Sequence, residues 1–243
     1  MSALAHYLEE QGIASVAIAL IRPQAQRTRP PRALWVPFEL GRPLGPPSEA
    51  EFQKRVLRAA LGLLERRDGP ILLADFPDDD PRERADPEWR PPITPAPLSA
   101  ADDGAALAGA LLAELRALAP AYARSCTERL RSTVGLSGLP PPECGKYVVA
   151  WVRGEWPASP VGDMSPILCL RFAIDDLKAY ALEAAIAGGT RPSSRQLGDW
   201  LWNDTALGAA VRALSSRLAA GDDERAKLIA TMFLVPAARA APA

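Results

Sequence analysis

Proline falls in blocks along this chain, and the blocks decide where regular structure can form. Of 243 residues, 25 are proline, concentrated at 23–47, 77–97, 140–142 and 157–166. Proline has no N–H and a fixed φ, so a dense run admits neither a helix interior nor a central strand. Helices and strands must therefore occupy the intervals between the blocks. The length suits one large domain or two modest ones.

Before and within the first block the pattern alternates. Residues 2–12 read as a short helix capped by Ser2, with Leu4 and Leu8 on one face and Gly12 at its end. Residues 13–21 (IASVAIALI) form an apolar, β-branched run of strand length. Its continuous apolarity predicts burial on both faces, as in a parallel sheet. Pro23, Pro30 and Pro31 interrupt the segment 22–32, and Arg22, Arg27, Arg29 and Arg32 make it basic. Residues 33–38 (ALWVPF) read as a second strand, with Pro37 at its end or edge, and 39–47 (ELGRPLGPP) as a loop. Ser48 and Glu51 match a capping box for a helix to about Arg67, with Phe52, Val56, Ala60 and Leu64 on one face. Residues 71–76 (ILLADF) give a third strand. This order is α/β logic.

Residues 77–97 alternate prolines with charges and read as a linker and domain boundary. The remainder has a helical pattern. Ser99 and Asp102 cap a helix through Leu118, and Pro120 starts another to about Arg131. A loop at 132–142 precedes a short helix at 143–153, with Tyr147, Val148 and Trp151 toward a core. The strongest helical pattern spans 164–187 and stops at Gly188 and Gly189. Ser193 or Ser194 caps a further helix holding Leu197, Trp200 and Leu201, and two more helical stretches lie at 205–219 and 222–234. The expected organisation is an α/β portion at 1–76 with about three mostly parallel strands, the linker at 77–97, an all-α portion at 98–236 and a flexible tail at 237–243.

Composition removes several function classes. With 28 basic against 29 acidic residues there is no basic field for nucleic acid or an anionic membrane. His6 is the only histidine, so a multi-histidine metal site needs ligands from another chain. Cys126, Cys144 and Cys169 are odd in number and form no Cys-x-x-Cys pair, against a disulfide scaffold or zinc ribbon. Reduced thiols and a cytoplasmic location are the expectation. The N-terminus lacks the basic start of a secretory signal, and uncharged apolar runs such as 14–21 fall short of a membrane span. Nothing in the spacing calls for a cofactor.

The loop after the second strand is the leading candidate site. Glu39, Gly41, Arg42 and Gly45 lie between a strand and a helix, where open α/β sheets place ligands. Arg42 would offer a forked donor to a carboxylate or phosphate. The alternative is a rigid turn with an exposed arginine. Asp176, Tyr180 and Glu183 line one helix face, as an acid–base or cation site would require, or as a solvated face would. Asp75 and Asp78 to Asp80 come after the third strand, as ribose or metal ligands do, or as a solvated linker start does. Cys144 opens a helix, where the macrodipole would lower its pKa, and is the candidate nucleophile; the alternative is a buried structural thiol. Trp200 and Trp202 cannot share a helix face, which leaves one as an exposed platform unless both pack in the core.

Residues 8–45 (LEEQGIASVAIALIRPQAQRTRPPRALWVPFELGRPLG) resemble the glycine/sarcosine/betaine reductase selenoprotein B family and its D-proline reductase relatives. Gly12, Ile13 and Val16, then Phe38 to Gly45, carry the resemblance. Residues 133–138 (TVGLSG), 175–184 (DDLKAYALEA) and 191–202 (RPSSRQLGDWLW) resemble small bacterial proteins grouped with that family. The resemblance implies reductive carbon–nitrogen bond cleavage, a selenocysteine or cysteine nucleophile, and a partner selenoprotein that carries the product. Residues 1–125 contain no cysteine and the chain no selenocysteine, so no catalytic residue carries over. Two readings are open. In one, the chain is a reductase-like subunit that binds a small carboxylate or amino-acid-like ligand while a protein partner supplies the redox chemistry. In the other, it is a non-catalytic interaction subunit whose helical half docks a partner.

Overall fold

The computed structural model describes residues 2–69, 71–83, 85–94, 104–189 and 191–239. The chain divides into two compact units, Met1–Arg84 and Ala85–Ala243. An α/β N-terminal portion with a three-stranded parallel sheet is followed by helices.

The first unit runs α1 (Ser2–Glu10), β1 (Ala17–Ala19), α2 (Arg22–Thr28), β2 (Arg32–Trp35), α3 (Ala50–Gly62) and β3 (Leu72–Asp75). The strand order is β1-β2-β3, all parallel, with Ala17 opposite Ala33 and Leu34 opposite Ala74. The apolar run at 13–21 yields only a three-residue strand, and Ile13 and Ile21 are exposed. Two causes are visible. Glu9 accepts the Ser15 N–H at 2.7 Å and pairs with Arg32 at 2.5 Å, which holds the approach to β1 as a turn. β1 is also an edge strand, so the expected two-sided burial falls to β2, where Ala33 and Leu34 are buried. The Pro23 region is a helix, because proline is tolerated in a first turn.

The Ser48 capping box does not form. Ser48 sits at φ 64°, and α3 starts at Ala50 after Glu49 without a side-chain cap. A capping serine needs extended geometry instead. α3 stops at Gly62 rather than near Arg67, and Leu63 joins Val56 and Ala60 in the core. That core is small: Leu34, Val36, Phe38 and Phe76 from the strands and their ends meet α3. The rings of Phe38, Phe52 and Phe76 lie 5.5 to 5.9 Å apart, tilted or edge-on.

The second unit holds α4 (Gly104–Arg129), α5 (Pro141–Val152), α6 (Pro166–Ala185), α7 (Ser194–Asp199), α8 (Ala206–Ala219) and α9 (Glu224–Ile229). Ser99 and Asp102 lie outside the described residues. α4 passes through Pro120 without a break, contrary to the two-helix expectation. Its apolar stripe, Leu111, Leu115 and Leu118, packs with α5, α6 and α8, and tertiary packing outweighs the lost backbone bond. By length and composition α4 could also cross a membrane. One face of α4 lies in the core, where buried Glu114 accepts the N–H groups that start α8. Trp200 and Trp202 are both buried, because α7 continues into a π-helical turn, Trp200–Asp204, that changes the spacing of its faces.

The proline-rich stretch is more than a tether. Asp80 is buried within the first unit, beside a 3₁₀ turn at Pro81–Glu83. Trp89 packs in the helical core and donates to the Ala185 carbonyl at 3.0 Å. The Gln196 amide closes a two-bond pair with the Asp86 backbone. Part of the expected tail is also tied down: Arg239, in a 3₁₀ turn, pairs with Asp199 at 2.5 Å.

Candidate functional site

The loop that carries Glu39, Gly41, Arg42 and Gly45 is two consecutive turns. The Arg42 N–H donates to the Glu39 carbonyl and the Gly45 N–H to the Arg42 carbonyl, each at 3.0 Å. Gly41 and Gly45 sit at φ 92° and 83°, conformations that a side chain strains. A Cβ on Gly45 would lie 2.5 Å from the Phe52 ring, so this glycine lets the turn pack beneath that ring. Arg42 is exposed, and its guanidinium has no hydrogen bond or ion pair among the described residues. Ligand crevices in open α/β sheets arise where strand order reverses. The order β1-β2-β3 never reverses, so that crevice does not form at this loop.

The better-formed concavity lies one strand over. A cleft of about 510 Å³ is lined by Phe52 and Arg55 of α3 and by Pro77, Asp78, Asp79, Asp80, Pro81 and Glu83 beyond β3. Arg55 comes one helical turn after Phe52, and its guanidinium lies over the Phe52 ring at 5.1 Å. It reaches Asp78 at 2.6 Å. Asp79 turns one carboxylate oxygen onto the Asp80 N–H at 3.0 Å. Glu39, Gly41, Arg42 and Gly45 are not among the lining residues; Gly45 acts on the cleft only by seating Phe52. Asp75 is engaged elsewhere, in a two-bond pair with Arg22, whose guanidinium lies over Trp35. Sequence reasoning missed Arg55. The signal was an arginine one turn after an aromatic on the helix that precedes a strand followed closely by three aspartates.

In the helical unit, the acidic face of α6 faces a loop rather than solvent or a ligand. Asp176 is 1% exposed and accepts the N–H groups of Gly135, Leu136 and Ser137 at 2.8 to 2.9 Å, and the Ser137 hydroxyl at 2.5 Å. Burial pushes its carboxyl up, but the bonds from Ser137, Gly135 and Leu136 outweigh this and hold it below the ordinary value. Glu183 accepts the Thr133 N–H and hydroxyl, both at 2.7 Å. Burial raises its carboxyl too, and the bonds from Thr133 and Ser132 bring it below the ordinary value. Tyr180 donates to the Leu115 carbonyl at 2.8 Å, and burial pushes its hydroxyl up to about 12. Two carboxylates on one helix thus hold the loop at 133–138.

Cys144 is fully buried beside this loop, its sulfur 3.3 Å from the Ser137 hydroxyl. Burial pushes the thiol up to about 11, with the Asp176 charge adding to the effect. The expected lowering at the helix start is overturned, because desolvation of a thiolate here exceeds any dipole effect. Cys144 is a buried free thiol. Among the described residues no group of three or more His, Cys, Asp or Glu side chains could hold a metal ion. Comparison of the chain with family models, curated proteins and solved structures returns no match.

Proposed function

We propose that the first unit binds a small carboxylate-bearing, amino-acid-like ligand in the cleft beyond β3, as a reductase-like subunit whose redox chemistry comes from a partner protein. The observation that carries this is opposite charge over an aromatic floor: Arg55 paired with Asp78, with Asp79 also in the lining, above Phe52, in about 510 Å³. A zwitterion presents both charges to such a surface. Its carboxylate would take the Arg55 fork, its ammonium would meet Asp79, and its alkyl part would rest on Phe52. The resemblance to the selenoprotein B family supports the same ligand class, and Cys144 has no place in the step. The chain would work in the cytoplasm, where its free cysteines stay reduced.

Calorimetry of the full chain with glycine, sarcosine, betaine and proline tests this. Binding heat should appear with at least one of them, and Arg55→Ala should weaken it about tenfold, the cost of one charge-assisted contact. Arg42→Ala should leave it unchanged. Binding that is lost in Arg42→Ala and kept in Arg55→Ala would return the site to the 39–45 loop. No heat with any of the four would remove the reading.

A second reading, a non-catalytic interaction subunit, has its own observation. Leu228, Met232 and Phe233 are exposed together on and after α9. Pull-down with mass spectrometry, using Leu228→Asp with Met232→Asp as the control, separates the two. A partner lost only in the variant favours the second reading.

A further inference from the structure

Five of the six tryptophans of this chain are buried or half-buried, and the sixth, Trp156, is 62% exposed. The backbone fixes it there. α5 ends in a paired cap, with the Gly154 N–H on the Trp151 carbonyl and the Glu155 N–H on the Ala150 carbonyl, both at 3.0 Å. Gly154 stands at φ 90°, the left-handed geometry this cap requires. The chain therefore leaves α5 in one direction, with Trp156 two residues later. Its ring lies 4.7 Å from that of buried Trp151.

Trp156 walls a cavity of about 370 Å³ with Gly154, Arg217, Leu218, Gly221, Asp222, Asp223 and Ala226. The cavity lies between the C-terminal ends of α5 and α8 and the N-terminus of α9, so its negative character comes from Asp222 and Asp223 rather than from helix dipoles. Arg217 is already committed, donating to the Val152 carbonyl at 3.0 Å and to the Trp151 carbonyl. Asp223 gives one oxygen to the Ala226 N–H at 2.8 Å. The Asp222 carboxylate has no hydrogen bond or ion pair among the described residues. The lining thus combines a net negative charge, an open indole and apolar walls.

We propose that this cavity binds an organic cation, with the ammonium or guanidinium group over the Trp156 ring and beside Asp222. The attraction is that of a cation to an aromatic face, reinforced by a carboxylate. The volume suits a small alkylammonium, and the same chemistry is offered by a lysine or arginine side chain on a peptide. The two sources share the site and are separated by the test.

Choline, blocked lysine amide and blocked arginine amide would be titrated into the full chain at matched ionic strength, with calorimetry and tryptophan emission as readouts. The neutral isostere of choline, 3,3-dimethyl-1-butanol, is the control. Saturable millimolar binding of a cation should exceed that of the isostere about tenfold, a charge-dependent difference within the range of cation–π contacts. Trp156→Ala should abolish it, and Asp222→Asn should weaken it several-fold. Both side chains are on the surface, so the fold survives either change. Preference for choline identifies a small quaternary ammonium, and preference for the amino-acid amides identifies a peptide side chain. Equal binding of the isostere, unchanged binding in Trp156→Ala, or no saturable binding of any cation would overturn the proposal.

Discussion

In the helical unit Asp176, Glu183 and Glu114 are buried, and each carboxylate accepts backbone N–H groups: of the 133–137 loop for the first two, and of Ala206 and Leu207 for the third. In the sheet unit the ion pairs Arg22–Asp75, Arg55–Asp78 and Arg66–Asp68 join solvent-exposed partners. The difference separates two uses of charge. A buried carboxylate bonded to backbone fixes a loop and is costly to disturb. An exposed pair at the end of a strand adds little stability and exchanges partners easily. These three carboxylates of the larger core are committed to backbone, whereas these three pairs of the sheet unit are charges that a ligand can engage.

The largest effect expected is on the α6 clamp. Asp176→Ala leaves the Gly135, Leu136 and Ser137 N–H groups without their acceptor, which should cost about 3 kcal/mol in denaturant unfolding. A loss below ~0.5 kcal/mol would erase the contrast between the units. Next is Gly45→Ala, which meets both the Phe52 ring and a φ of 83°. It should cost about 1–3 kcal/mol and disturb the sheet unit alone, read as amide-shift changes confined to residues before 85. The smallest effect is Arg22→Ala, within about 1 kcal/mol, because both partners of its pair are well exposed.

Acid sharpens the comparison through its sign. Asp176 and Glu183 are held below their ordinary values of 3.8 and 4.5. Their contribution is fully present above those values and is lost as the pH falls through the lowered folded-state values. Glu114 runs the other way. Burial raises its carboxyl, against the bonds from Ala206 and Leu207, so its contribution is present below 4.5 and is lost as the pH rises through the raised value. Unfolding midpoints measured from neutral pH down to ~3 should show an acid limb for the helical unit that Asp176→Asn flattens. An unchanged limb would show that the clamp does not govern acid stability.

Local signals in the sequence located most elements. The ILLADF run gave β3, and Ser193, paired with Gln196 in a capping box, starts α7. Failures came where a distant partner decides. Pro120 reads as a break in isolation, but α4 is held by helices from elsewhere in the chain. Asp176 reads as a solvated or catalytic acid, because its partners are 39 to 41 residues away in a loop with no pattern of its own. The cleft escaped for the same reason. Arg55 and Asp78 are 23 residues apart, on a helix and beyond a strand, and only the βαβ crossover brings them together. The glycines of the 39–45 loop stood out because turn chemistry is local, and turn chemistry is what they supply.

Hydrogen exchange of the full chain, with and without a bound zwitterion, tests the contrast between the two units most directly. Amides of Gly135, Leu136 and Ser137 should be protected in both states, while those at 78–83 should exchange fast alone and slow when the ligand is present. Fast exchange at 135–137, or ligand protection that appears in the helical unit and not at 78–83, would contradict the account.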